Sequence, residues 1–264
     1  MRRALQATLG FAILLAAPIC SAPAPRTQPA APRVPVVVEL FTSEGCSTCP
    51  PADALLAELD QKQPFAAAQI IPLEEHVDYW DNQGWRDPFS SSIFTERQAE
   101  YARRFGLSGP YTPQMVVEGH TEFSGTARAR VPAAISGAVQ VPQAAMTLRV
   151  TPGAVEHDPL VATIRVDAFP AGVREKADVR LAVTEDGLSS SVGAGENAGR
   201  HLVHRAVVRK LVSAGHAEPG KPFSADVKIA VERGWKRENL HVVAFLEGRS
   251  SGQIFGAATA PASP

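Results

Sequence analysis

The sequence predicts an α/β domain, with a central mixed sheet flanked by helices, followed by an antiparallel β-sandwich-like domain. Three observations lead there. Residues 34–41 (VPVVVELF) form a near-continuous β-branched run, the pattern of a buried strand, and pass through a turn into an amphipathic helix. Residues 69–73 then read as the next core strand and residues 92–105 as a further helix, with Ile93, Ala99, Tyr101, Ala102 and Phe105 as its apolar positions. After about residue 140 the pattern changes to short segments that alternate with period two and are separated by Pro, Gly and Asp. Pro142 and Gln143 mark the boundary, giving domains at 34–141 and 142–260.

The start of the chain reads as an address. Met1-Arg2-Arg3 is basic, an uncharged apolar run extends from Leu9 to Ile19, and small residues follow at Ser21 and Ala22. That is the pattern of a secretory signal peptide over residues 1–21. The apolar run falls short of the about 20 residues a helix needs to cross a bilayer. Cys20 raises the question of lipid attachment, but Ile19 stands where a lipoprotein signal carries a small residue. Residues 22–33 are rich in Pro and Ala and read as a flexible leader. The expectation is a periplasmic or secreted protein with no membrane span in the mature chain.

Composition bounds the function. Across 264 residues, 45% are hydrophobic and 20% charged, which is globular rather than disordered. A formal net charge of -1 gives no global basic surface, so nucleic acid is not an expected partner. There is no Gly-x-Ser-x-Gly elbow, no helical His-Glu-x-x-His and no Walker-type phosphate loop, so hydrolase and nucleotide chemistry lack support. Removal of the signal leaves two cysteines, Cys46 and Cys49. A bond between them closes too short a loop to constrain much chain entropy, so the pair is chemical rather than a structural staple.

The cysteines sit at a junction. Thr42-Ser43-Glu44-Gly45 has turn composition after the first strand, and Pro50-Pro51 fit only the first turn of the helix that carries Leu55, Leu56 and Leu59. Cys46 therefore lies at a helix N-terminus, where free N–H groups and the positive dipole end stabilise a thiolate. Cys49, a turn further in, is the more buried, resolving thiol. Glu44 is a nearby negative charge that works against this stabilisation.

Two other regions carry candidate chemistry. Residues 74–88 collect His76, Tyr79, Trp80, Trp85 and several acids, read as a loop that either faces a substrate, ligates a metal or merely packs on the domain. Short strands follow at residues 146–150, 160–166, 178–184, 225–231 and 240–246. Between the third and fourth of these, the Gly- and Ser-rich stretch 187–215 with His201, His204 and Arg205 reads as a long connection docking on the first domain, or as an anion or metal site.

The strand, turn, Cys46-Ser-Thr-Cys49 and helix resemble the redox motif of the thioredoxin superfamily. Residues 101–119 resemble the stretch of that superfamily in which a helix ends, a loop carries a cis-proline and a strand follows. The resemblance makes Thr112-Pro113 the cis peptide lining the substrate groove and residues 114–118 the neighbouring strand. The chain is similar, more closely, to a secreted bacterial family known as domain of unknown function 1223. That similarity rests on residues 39–56, on His76-Val-Asp-Tyr-Trp-Asp81, on Tyr111-Thr-Pro-Gln-Met115 and on Gly195-Glu-Asn-Ala-Gly-Arg200. It implies a thioredoxin-like N-terminal domain followed by a β-rich one, and no known substrate. The proton-relay acid of thioredoxins lies six positions before the first Cys, where this chain has Leu40, while Glu39 is the adjacent acid. A one-residue step along a strand reverses the face, so Glu39 serves only if a bulge corrects the register.

Three functions are thus in view. The first is an enzyme, an exported thiol–disulfide oxidoreductase acting on protein or small-molecule thiols and disulfides without a cofactor. Cys46 and Cys49 would be catalytic, Thr112 and Pro113 would form the substrate groove, and Glu39, His76 and Trp80 are candidate supporting residues. The second is a copper- or zinc-handling protein using Cys46, Cys49 and His76. The third is a non-catalytic secreted binding module.

Overall fold

A computed structural model describes residues 32–155 and 158–263 of the chain. The signal-like residues 1–21, Cys20 among them, and residues 22–31 of the leader lie outside the described residues.

The first strand, β1 (Val34–Thr42), lies between β2 (Ala68–His76), which runs parallel to it, and the antiparallel β3 (Gln114–Val117). A short strand β4 (Thr121–Ser124) closes that edge through an antiparallel pairing with β3. The link from β1 to β2 is α1 (Pro50–Lys62), and the link from β2 to β3 is α2 (Ser92–Arg104). A third helix, α3 (Val131–Ala138), follows β4. Strand alternation sorts the side chains. Val36, Val38 and Leu40 pack with Leu55, Leu56 and Leu59 of α1 and with Val131 and Ile135 of α3. Val37 and Phe41 point the other way, toward Phe94 and Tyr101 of α2.

The C-terminal half contributes β5 (Ala145–Thr151), β6 (Leu160–Ala168), β7 (Ala177–Glu185), β8 (Leu188–Ser191), β9 (His201–His204), β10 (Val207–Ala217), β11 (Phe223–Ile229), β12 (Leu240–Gly248) and β13 (Ile254–Pro261). Four of these extend the first sheet, giving one eight-stranded sheet in the order β13-β12-β7-β10-β2-β1-β3-β4. The junction is β10 against β2, parallel, with Val207 opposite Glu74. A separate three-stranded sheet, β11-β6-β5, covers one face of the C-terminal part. Leu160, Ile164 and Val166 of that sheet meet Val179, Leu181, Val183, Val242 and Leu246 in a second core. β8 and β9 make a small hairpin of their own.

This architecture corrects the fold class expected from the sequence. The described residues are mostly β, 41% strand against 17% helix, with three helices serving a large mixed sheet. It is not a helix-flanked thioredoxin-like sheet followed by an independent sandwich. A sandwich-like core is present, but one of its two layers is the first half's own sheet continued. The reason is edge satisfaction. β2 would otherwise expose unpaired backbone groups along its outer edge, and β10 covers part of that edge. Period-two alternation identifies strands locally and says nothing about which edges meet.

Polar residues bind the two halves across the face that carries α2. Arg97 of α2 is buried, and its guanidinium donates from Nε to Glu39 Oε1 of β1 at 2.5 Å and from Nη1 to Glu247 Oε1 of β12 at 3.1 Å. Tyr101 O–H donates to the other oxygen of Glu39 at 2.6 Å, and Glu75 of β2 lies 3.7 Å from Arg97. The buried face of α2 is thus Phe94, Arg97, Gln98, Tyr101 and Ala102, while Ile93, expected inside, is 49% exposed. No helix among the described residues is long and apolar enough to cross a membrane.

Candidate functional site

Cys46 and Cys49 form a disulfide with their Cα atoms 5.4 Å apart. β1 delivers the chain to Thr42, and a turn follows in which Cys46 N–H donates to Ser43 C=O at 3.1 Å. Cys49 is the N-cap of α1, with Pro50 and Pro51 in the first turn, and its carbonyl accepts the N–H groups of Ala52 and Asp53. Proline suits that turn because its missing N–H has no helical partner there. Pro113 lies beside the same helix start. The Thr112–Pro113 peptide is cis, and a Cβ added at Gly125 would stand 2.9 Å from Ala52 Cβ and 3.0 Å from Pro113 Cβ. Glycine at position 125 therefore lets the end of β4 close over both.

The disulfide is covered. Cys46 is 1% and Cys49 0% exposed, while Ser47 and Thr48 between them are exposed. The cover comes from the segment after β8. Asn197, itself buried, donates its amide to the carbonyls of Glu44 at 2.8 Å and Cys46 at 2.9 Å. Glu196 accepts the N–H of Ser47 at 2.9 Å, and the Ser47 side chain together with that N–H holds its carboxyl below the usual range. The indoles extend the frame. Trp80 Nε1 donates to Thr112 Oγ1 at 2.8 Å, and Trp85 Nε1 donates to Glu44 Oε2 at 2.8 Å. Gly45 suits the close approach of Trp80, since a Cβ there would stand a tight 3.0 Å from Trp80 Cβ.

Beside this loop lies a buried polar cluster. Glu74 and His76, two apart on β2, share one face of the sheet. His204, at the end of β9, meets them with Nδ1 2.7 Å from Glu74 Oε1 and Nε2 3.1 Å from Glu44 Oε1. His76 Nδ1 is 2.7 Å from Asp87 Oδ2, and its Nε2 is 3.4 Å from Glu74 Oε1. Burial works against charge on both rings, yet the carboxylates outweigh it. Asp87 and Glu74 hold His76 well above its ordinary pKa, and Glu44 and Glu74 raise His204 to about 9. Asp53, in the first turn of α1, accepts the Thr42 hydroxyl at 2.6 Å. Burial, then the charge of Glu74, pushes its carboxyl up to about 7.

The sequence-derived residues fall into two groups. Cys46, Cys49, Thr112, Pro113 and Trp80 come together around the start of α1. Glu39 does not join them. Leu40 faces α1, no bulge interrupts the β1–β2 register, and Glu39 points to Arg97 and Tyr101 on the opposite side. His76 is not on a loop but in β2, fully buried, and its neighbours are Asp87, Glu74, Phe89 and His204 rather than a cysteine sulfur. Residues the sequence left unassigned now define the site: Glu74, Asp87, Asn197 and Glu196, with Asp53 at the helix start. The only prior signal for Asn197 and Glu196 was their place in the Gly195–Arg200 motif.

Comparison with other proteins places the chain without supplying an activity. The family described as Protein of unknown function (DUF1223) matches residues 37–247. A crystallised protein of Agrobacterium tumefaciens is 27% identical with a TM-score of 0.67, covering 89% of this chain and 97% of its own. HBP35 of Porphyromonas gingivalis is 16% identical with a TM-score of 0.59, covering 88% of this chain and 76% of its own, a likeness of fold alone. No curated protein matches.

Proposed function

We propose that this chain, which belongs to the DUF1223 family, is an exported thiol–disulfide oxidoreductase whose working groups are Cys46 and Cys49. The observation that carries the reading is the disulfide at the N-terminus of α1, with Cys49 as the N-cap. In the reduced form, the positive end of the α1 dipole favours a thiolate. The Cys46 thiolate attacks one sulfur of a partner disulfide, forming a mixed disulfide and releasing the partner's other sulfur as thiolate. The Cys49 thiolate then attacks Cys46 Sγ, which expels the partner's second sulfur. Overall the partner disulfide is reduced to two thiols as Cys46 and Cys49 are oxidised, and the reverse sequence oxidises a partner. Export rests on the signal-like composition of residues 1–21.

The buried state of Cys46 sets a condition on this chemistry. Its sulfur becomes reachable when residues 195–200 lift from the loop, so the hydrogen bonds from Asn197 and to Glu196 act as a cover. The test is an exchange assay with glutathione and a disulfide-bonded peptide, run on the chain lacking residues 1–21. The wild type accelerates exchange, and the Cys46→Ser/Cys49→Ser double variant performs no better than buffer. Full activity in the double variant would overturn the proposal.

A further inference from the structure

We infer that Glu74, His76 and His204 form a binding site for one zinc-class divalent metal ion, independent of the cysteines and of the thiol chemistry proposed above. One ligand atom from each, a Glu74 carboxylate oxygen and one ring nitrogen from each histidine, lies within 4.8 Å of the other two. All three residues are at most 2% exposed. Two imidazole nitrogens and a carboxylate oxygen are a donor set suited to zinc, and they leave a fourth tetrahedral position open.

Two further observations point to a ligand. His76 Nε2 is buried and has no hydrogen-bond partner, and it is aimed at the cluster, with Glu74 Oε1 3.4 Å away. Such an orphaned ring nitrogen is costly in a protein interior unless something takes it up. The second observation is the ring of groups around the three donors. His76 turns its other nitrogen to Asp87 Oδ2 at 2.7 Å, and His204 turns its other nitrogen to Glu44 Oε1 at 3.1 Å. Glu74 places its second oxygen on the backbone N–H of Arg205 at 3.0 Å. Each donor therefore already has the orienting partner that metal ligands use to fix tautomer and direction. Glu44 and Asp87 are themselves held, by Trp85 Nε1 and by the N–H of Phe89.

The placement has a consequence for the fold. Glu74 and His76 belong to β2 of the first half, and His204 immediately precedes β10 of the second. An ion held by all three ties the halves together where β10 joins β2.

Cobalt(II) and zinc titrations of the oxidised full-length chain test the site. The expected result is one ion per chain at micromolar affinity or tighter, a rise in melting temperature on zinc addition, and visible cobalt bands without the sulfur-to-cobalt charge-transfer absorption that cysteine ligation produces. Affinity should be the same in Cys46→Ser/Cys49→Ser. His76→Gln or Glu74→Gln should weaken binding at least about 100-fold, and Asp87→Asn, which touches no ion, about 10–100-fold. Asp87→Asn keeps the test open should a ligand variant fail to fold. No binding by the wild type, a sulfur charge-transfer band, or undiminished affinity in the folded variants would overturn the inference.

Discussion

Asn197→Ala tests whether the C-terminal half holds the cysteine loop shut. Asn197 is 1% exposed and its amide nitrogen serves two carbonyls, Glu44 C=O and Cys46 C=O, while its own oxygen accepts from Arg200 Nη1 at 3.0 Å. Alanine removes both donations and brings nothing to replace them. A buried polar group left without a partner costs about 1–3 kcal/mol; Cys46 C=O keeps the N–H of Cys49 at 3.2 Å, so the one orphaned carbonyl, that of Glu44, predicts a loss of about 1–3 kcal/mol. Against a typical total stability of about 5–15 kcal/mol, that loss is easily measured. Urea unfolding with the disulfide intact reads the stability. The pseudo-first-order rate of disulfide reduction by dithiothreitol reads the cover, and it should rise. Thr163→Ala, which removes an exposed hydrogen bond to Asp226 far from the loop, is the control and should stay within about 0.5 kcal/mol of wild type. An Asn197→Ala protein as stable as that control, with an unchanged reduction rate, would refute the reasoning.

Other outcomes follow from the same structure. Glu196→Ala removes the acceptor from Ser47 N–H and should quicken reduction of Cys46–Cys49 severalfold without lowering the unfolding midpoint. Arg97→Met strips the buried cation from Glu39, Glu75 and Glu247 and should cost about 3–5 kcal/mol near neutral pH in urea unfolding. That deficit should shrink as the pH falls and the stranded carboxylates take up protons. Glu118 supplies a pH test remote from the cysteines. Burial, with Glu39 adding to it and the Val37 N–H opposing it, raises its carboxyl from 4.5 to about 8. Between those values the folded chain keeps a proton that the unfolded chain has lost, so this group makes stability fall as pH rises, by up to about 1.4 kcal/mol per pH unit. Glu118→Gln should flatten that part of the stability–pH curve, and an unchanged slope would count against it.

Much of the secondary structure was legible because it is local. The β-branched run at residues 34–41 became β1, the two prolines after Cys49 marked the first turn of α1, and the alternating segments after residue 140 became strands with ends shifted by one or two residues. β10 escaped because its neighbourhood, residues 187–215, carries the Gly and Ser composition of a connection. The inward face of α2 includes Tyr101 and Ala102 as expected, but Ile93 is exposed and Phe94, Arg97 and Gln98 are buried in its place. Arg97 and Gln98 read as solvent-facing residues in any sequence, and only the acids of β1, β2 and β12 make a buried arginine tolerable. His76 was singled out, but as a loop residue, because Glu74-Glu75-His76 is too polar to read as the end of a core strand.

By itself the sequence determined most of the strands and helices, though not β10, and it determined that Cys46 and Cys49 stand where a strand passes into a helix, since both follow from interactions between near neighbours along the chain. Only the tertiary structure decided that β10 lies against β2 and merges two halves into one sheet, that Asn197 closes over Cys46 from 151 residues away, and that His204 meets Glu74 across 130. Those contacts depend on which sheet edges pair and which buried polar groups find partners, and pairings of that range leave no periodic trace in the chain.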